Sequence, residues 1–141
     1  MSKIKIFEKK FYLLDESYNA NPHSMRLAIN HFNNIDKKMT QKILVLGDML
    51  ELGKKTKFFH RNLAKYINNS NIDKVFVIGQ SILETYKFVR KNKKGKILNA
   101  MSDIDSLIRN YINDNDYVMI KGSNLTGLNN FCKKLKKRKI N

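Results

Sequence analysis

Lys42-Ile43-Leu44-Val45-Leu46 carries four apolar side chains in a row after its lysine. A strand turns successive side chains to opposite faces. An unbroken apolar run therefore predicts burial on both faces, as in a parallel sheet covered by helices. Lys74-Val75-Phe76-Val77-Ile78 repeats the pattern and stops at Gly79. Asp116-Tyr117-Val118-Met119-Ile120 repeats it before a polar exit, Lys121-Gly122-Ser123. Between these runs the apolar residues switch to helical spacing. Asn21-Pro22 reads as a helix start, because Asn caps well and Pro suits the first helical position. That helix should run to about Asn33 through Met25, Leu27, Ala28, Ile29 and Phe32. Phe59, Leu63, Tyr66 and Ile67 mark a helix over Thr56 to Asn68, and Ile82, Leu83, Tyr86 and Val89 mark another over Ser81 to Lys91.

Ser102 is expected to cap a further helix, with Asp103 and Asp105 near its positive dipole end. A last helix should end near Lys137. Lys3 to Phe7 and Phe11 to Leu14 are expected to pair as a hairpin around Glu8-Lys9-Lys10, Asn34 to Thr40 to form a polar loop, and Ile97-Leu98 to form an edge strand. This alternation predicts an α/β three-layer sandwich, a mostly parallel sheet with helices on both faces. At 141 residues the chain is the size of one domain.

Net charge is +16. Such a balance admits a basic α/β module that binds nucleic acid. Lysine dominates arginine, however, and is spread along the chain with Ile and Asn, as in proteins of AT-rich genomes. The densest run, Lys133 to Lys139, reads as a solvated terminal tail. Compositional drift is thus the preferred reading and nucleic acid the alternative. Cys132 is the sole cysteine, so no intrachain disulfide can form. The N-terminus Met-Ser-Lys-Ile-Lys-Ile lacks the apolar core of a signal peptide. No apolar run approaches the roughly 18 residues of a membrane span. The cytoplasm is the expected location.

Three strand exits are polar: Asp15 to Asn21, Gly47 to Gly53, and Lys121 to Asn124. In an open parallel sheet they share the edge where ligands bind. The second exit imitates a phosphate loop, G-x-x-x-x-G-K-[ST]. Here five residues separate Gly47 from Gly53, and Lys55 stands where Ser or Thr should follow Lys54. Asp48 and Glu51 would also repel phosphate and suit a cationic group, such as a substrate ammonium, better. His60 follows that loop at the start of a helix and is expected to face the edge. His23 and His31 lack metal-ligand spacing, so no metal site is expected.

The three exits together resemble one family. Asp15-Glu16-Ser17-Tyr18-Asn19-Ala20-Asn21-Pro22-His23-Ser24-Met25 is similar to the D-D-[ST]-Y-N-A-N-P-x-S-M signature of the Mur ligases that add D-alanyl-D-alanine. Ile43 to Gly53, with His60 after it, resembles that family's second signature. Val118-Met119-Ile120-Lys121-Gly122-Ser123 resembles its V-K-G-S-R element. The resemblance implies a C-terminal domain of dinucleotide-binding-like fold. It implies ATP and Mg²⁺ as cofactors, held mainly by a central ATPase domain. UDP-N-acetylmuramoyl-tripeptide and D-alanyl-D-alanine are the implied substrates. ATP would phosphorylate the tripeptide carboxylate, and the dipeptide amine would attack the acyl phosphate.

By the same resemblance, Asp15, Glu16, Asn19 and Asn21 form the surface that closes over the nucleotide, with Glu16 in place of the second Asp. Asp48, Glu51, His60, Lys121, Ser123 and Asn124 lie on the dipeptide side, with Asn124 in place of the family's Arg. No catalytic residue is assigned within the chain. The related folate polyglutamate ligases are a further alternative, against which the Tyr18-Asn19-Ala20-Asn21-Pro22 string argues. The 141 residues hold no G-x-x-G-K-[ST] loop. The chain is therefore expected to be inactive alone and to act with N-terminal and central ligase domains, in cis or in trans.

Overall fold

The computed structural model describes residues 1–36 and 39–141. Its strands are β1 (Ser2–Ile6), β2 (Lys9–Glu16), β3 (Lys42–Gly47), β4 (Lys74–Ile78), β5 (Lys94–Leu98), β6 (Tyr117–Lys121) and β7 (Lys139–Ile140). Its helices are α1 (Pro22–Asn34), α2 (Thr56–Asn68), α3 (Leu83–Phe88), α4 (Ser102–Asn110) and α5 (Leu128–Lys136). The strands form one sheet in the order β5-β4-β3-β6-β2-β1-β7. From β5 to β2 all neighbours are parallel, and β1 joins β2 and β7 antiparallel.

Period-two alternation divides the core into two layers. Leu44, Leu46, Val75, Val77, Met119 and Leu14 point to one face, under α1, α2 and α3. Ile43, Val45, Phe76, Val118, Ile120, Phe11 and Leu13 point to the other, under α4 and α5. All six residues of β3 are buried, Lys42 included. The Lys42 ammonium donates to the Asn33 carbonyl at 3.0 Å, to the Ile35 carbonyl and to Asn71 Oδ1 at 3.0 Å. It thus ends α1, where a cation also meets the negative end of the helix dipole.

The fold is the expected α/β sandwich, and α2 has the expected bounds. Several elements differ. β2 runs on to Glu16, because Asp15 and Glu16 pair with Ile120 and Lys121 of β6. α3 is only Leu83–Phe88. Asn68 truncates it, since its amide group donates to the Phe88 carbonyl at 3.0 Å and accepts from the Arg90 amide at 2.8 Å. β5 begins at Lys94, three residues before the expected Ile97-Leu98 edge strand, and is the outermost strand of the sheet. Gly95 lies against the Phe76 ring, where a Cβ would come within 2.7 Å.

Ser102 does not cap α4. The Asp103 carboxylate accepts from the Asn99 and Ala100 amides instead, at 2.8 and 3.1 Å. Lys133 to Lys139 is not a tail: it forms the last turn of α5 and the start of β7, which closes on β1. Lys37 and Lys38 of the expected polar loop lie outside the described residues. Among the described residues no helix is long and apolar enough to cross a membrane.

Phe32 anchors α1 in the first layer with no exposed surface. Phe32→Ala should therefore destabilise the fold by about 3–5 kcal/mol, read as a lower urea midpoint at unchanged slope.

Candidate functional site: the edge where β2, β6 and β3 end

The three polar exits meet because three parallel neighbours end level. Glu16 of β2 and Leu46 of β3 both pair with Lys121 of β6. After β3 the chain continues into α2 on one face, and after β6 into α5 on the other. A crevice at such a reversal is where open α/β sheets bind ligands. Here its floor is backbone. A Cβ on Gly122 would lie 3.0 Å from Gly47 Cα and 2.7 Å from Leu128 Cδ1. The Ser123 amide donates to the Asp48 carbonyl at 3.1 Å, joining the two loops directly.

In the β2 exit, Asp15 faces inward. Its Oδ1 accepts from the Ser17 amide at 2.9 Å and from the Ser17 hydroxyl, and its Oδ2 pairs with Lys136 of α5 at 2.5 Å. Lys121 is buried as well, and its ammonium donates to the Asn19 carbonyl at 2.7 Å and to the Glu16 carbonyl at 3.4 Å. Asn21 caps α1: its Oδ1 accepts from the Ser24 amide at 2.8 Å, and the Ser24 hydroxyl accepts from the Asn21 amide at 3.0 Å. Glu16 and Asn19 leave their side chains exposed.

In the β3 exit, Asp48 Oδ1 accepts from the Ile82 amide at 2.8 Å, tying this loop to the start of α3. Gly79 passes so close that a Cβ there would lie 2.5 Å from the same oxygen. Glu51 is exposed and adopts a left-handed φ of 62°, a costly conformation for a residue with a Cβ. His60 does not face the edge. It is fully buried; its Nε2 accepts from the Met49 amide at 3.0 Å, and its Nδ1 donates to the Thr56 carbonyl at 2.7 Å. The imidazole therefore shapes the loop from beneath. In the β6 exit, Ser123 is half-buried and Asn124 exposed.

The open edge thus presents Glu16, Asn19, Asn21, Glu51 and Asn124, whereas Asp15, His60 and Lys121 are internal braces. Two carboxylates and three carboxamides can hold a cationic or hydrogen-bonding group. No nucleophile is set beside a base among them. Among the described residues no group of three or more His, Cys, Asp or Glu gathers to hold a metal. The sequence reading missed two residues. Tyr18 stands 74% exposed beside Asn19, an aromatic that no helical or strand pattern assigns to the core. Lys136 reaches Asp15 from the far end of the chain, so local sequence carries no signal for it.

The model of the family described as Mur ligase, glutamate ligase domain, matches residues 5–124. The chain belongs to the Mur ligase family. The UDP-N-acetylmuramoyl-tripeptide–D-alanyl-D-alanine ligase of Haemophilus influenzae is 32% identical over 110 residues, covering 78% of this chain and 23% of the relative. The ligase of the same name from Treponema pallidum is 31% identical over 120 residues, covering 83% and 26%. A crystal structure of MurF from Acinetobacter baumannii superposes with a TM-score of 0.72 at 24% identity, over 96% of this chain and 29% of that one. The MurF ligase of Thermotoga maritima in complex with ADP gives 0.69 at 22% identity, over 89% and 28%. The chain thus spans about a quarter of the length of these relatives.

In this Mur ligase domain the internal braces leave electrostatic traces. Burial alone would raise the Asp15 carboxyl, but the hydrogen bonds from Lys136 and Ser17 outweigh it and hold the pKa below its ordinary value. Burial pushes the Lys121 ammonium below its ordinary value, against the opposing pull of Glu16. A carboxyl lowered in the folded state adds stability above its unfolded pKa, about 3.9, and loses it as pH falls through the folded value. Asp15→Asn should therefore destabilise the domain at pH 7, and the gap from wild type should close as pH falls below about 4. Urea unfolding across that range checks it; a constant gap would mean that the Asp15 charge contributes nothing. Gly122→Ala should cost about 1–3 kcal/mol in the same assay, because the Gly47 backbone cannot yield as a side chain would.

Proposed function

We propose that the chain is the C-terminal domain of an ATP-dependent ligase that adds D-alanyl-D-alanine to UDP-N-acetylmuramoyl-tripeptide. The observation that carries this reading is the coincidence of the first two long signatures and the third short one on three level, adjacent strand exits. The relatives named for that reaction support it. On this reading Glu16, Asn19 and Asn21 close over a nucleotide held chiefly by a central ATPase domain. Glu51, Asp48 and Asn124 lie towards the dipeptide, where a carboxylate would meet its ammonium. Asn124 offers a single amide in place of a forked guanidinium, so its grip on the dipeptide carboxylate is weaker.

His60 and Lys121 act through the loops they brace, and Ser123 through its backbone bridge to Asp48. The ATP-bound Mg²⁺ supplies charge neutralisation for the phosphoryl transfer and belongs to the other domains. This domain's own part is positioning: it excludes water and holds the amine in line with the acyl phosphate. ATP and UDP-linked substrates place that work in the cytoplasm.

A ligation assay with ATP, Mg²⁺, UDP-N-acetylmuramoyl-tripeptide and D-alanyl-D-alanine tests the proposal. The chain alone should form no product. Mixed with an N-terminal and central two-domain fragment of such a ligase, it should form the pentapeptide. Glu16→Ala in that mixture should lower the rate at least tenfold, equivalent to about 1.4 kcal/mol of lost transition-state stabilisation. Absence of product from fragments shown to associate would overturn the reading.

A further inference from the structure

α5 ends in a concentration of positive charge. Lys133, Lys134 and Lys137 are exposed on and after its last turns, and Arg138 and Lys139 follow at once, also exposed. Lys136, in the same run, pairs with Asp15 of the first exit. Lys139 pairs with Ile4 across β7 and β1, and Ile4 lies in the layer under α4 and α5. Directly opposed residues share a face, so Lys139 joins the other cations.

The place of this cluster matters as much as its charge. β7 is antiparallel to β1 and therefore runs parallel to β2. It begins at the end of the sheet where β2 begins, opposite the three polar exits. Lys139 is thus at the far end from the three exits, whereas Lys136, within the same run, reaches Asp15 of the first exit. Beside the cluster, between α4 and α5, opens a cleft of about 480 Å³. Phe131 and Leu135 line it, Lys134, Lys137 and Arg138 stand around it, and Asp105 is the one acid in its wall.

Two kinds of polyanion could meet such a surface. Single-stranded nucleic acid is gripped by cations interleaved with exposed aromatic rings on which bases stack. The most exposed aromatics, Tyr18, Phe58 and Phe88, lie in the β2 exit, on α2 and on α3, and Phe131, the aromatic of the cleft, is packed against the core rather than open for stacking. A lysine cluster on the outer side of an amphipathic helix, with apolar lining between the cations, matches a surface that joins negative charge to hydrocarbon. We propose that this end of the domain binds the anionic surface of a lipid bilayer, its ammonium and guanidinium groups meeting lipid phosphates. The inference does not rest on the ligase reading.

Each cation near an anionic bilayer raises partitioning about fivefold. The test is co-sedimentation of the whole chain with vesicles of roughly one part phosphatidylglycerol to two of phosphatidylcholine, and with phosphatidylcholine alone, near 0.1 M salt where the screening length is about 10 Å. Wild type should sediment with the anionic vesicles only. The triple variant Lys133→Gln, Lys134→Gln and Lys137→Gln should bind about a hundredfold more weakly. A control triple of exposed lysines elsewhere, Lys54→Gln, Lys57→Gln and Lys91→Gln, removes the same charge and should lose less than about tenfold. Circular dichroism of both variants should match wild type, since all six side chains are exposed. Equal losses in the two triples, no binding to anionic vesicles, or complete displacement by single-stranded DNA at equal phosphate would each overturn the proposal.

Discussion

Parallel pairing of β3 with β6 at the centre of the sheet sets almost everything else. These strands are adjacent in space but far apart in the chain, and the helices that follow them leave to opposite faces. Their exits must therefore part from a common point, where Gly47 and Gly122 touch backbone to backbone. A side chain on either would wedge the loops apart. Because the loops touch, Asp48 and Ser123 share a hydrogen bond, and the edge behaves as one surface rather than three separate turns.

Around that point and at the opposite end of β3, buried polar groups do work that hydrophobic packing does not. Lys42, Lys121 and His60 are all inaccessible, and each has its donors or acceptors matched to backbone groups. A buried ammonium without partners would cost several kcal/mol, so these groups tolerate burial only in the geometry they now hold. The effect is specificity of loop shape. Lys121 fixes the backbone at Glu16 and Asn19, His60 fixes Met49, and Asp15 links the first exit to α5 through Lys136.

The layer architecture was legible in the sequence because apolar runs and helical spacing report burial directly. Asn21-Pro22 announced α1, and the capping box with Ser24 is what a local motif should yield. What escaped notice was non-local. Asn68 shortens α3 from another helix, Asp103 replaces Ser102 at the start of α4, and the lysines of the C-terminal run join a helix and a strand. The site divided in the same way. That three exits share an edge followed from the parallel strands, and the family resemblance marked Glu16, Asn19 and Glu51 as candidates. Whether a polar side chain turns outward or inward depends on partners more than a hundred residues away, as with Lys121 and Asn19. Residue type alone could not separate the outward Glu16 from the inward Asp15.

The inward braces have a consequence for how this domain would look to saturation mutagenesis. Most of the polar positions at which nearly every replacement is harmful would be Lys42, His60, Asp15 and Lys121, whose failure is one of folding. The outward residues, Glu16, Asn19 and Glu51, would tolerate replacement in any screen that reads abundance. A tolerance map of this chain would therefore shade the outward polar residues of the edge lightly and their supports darkly.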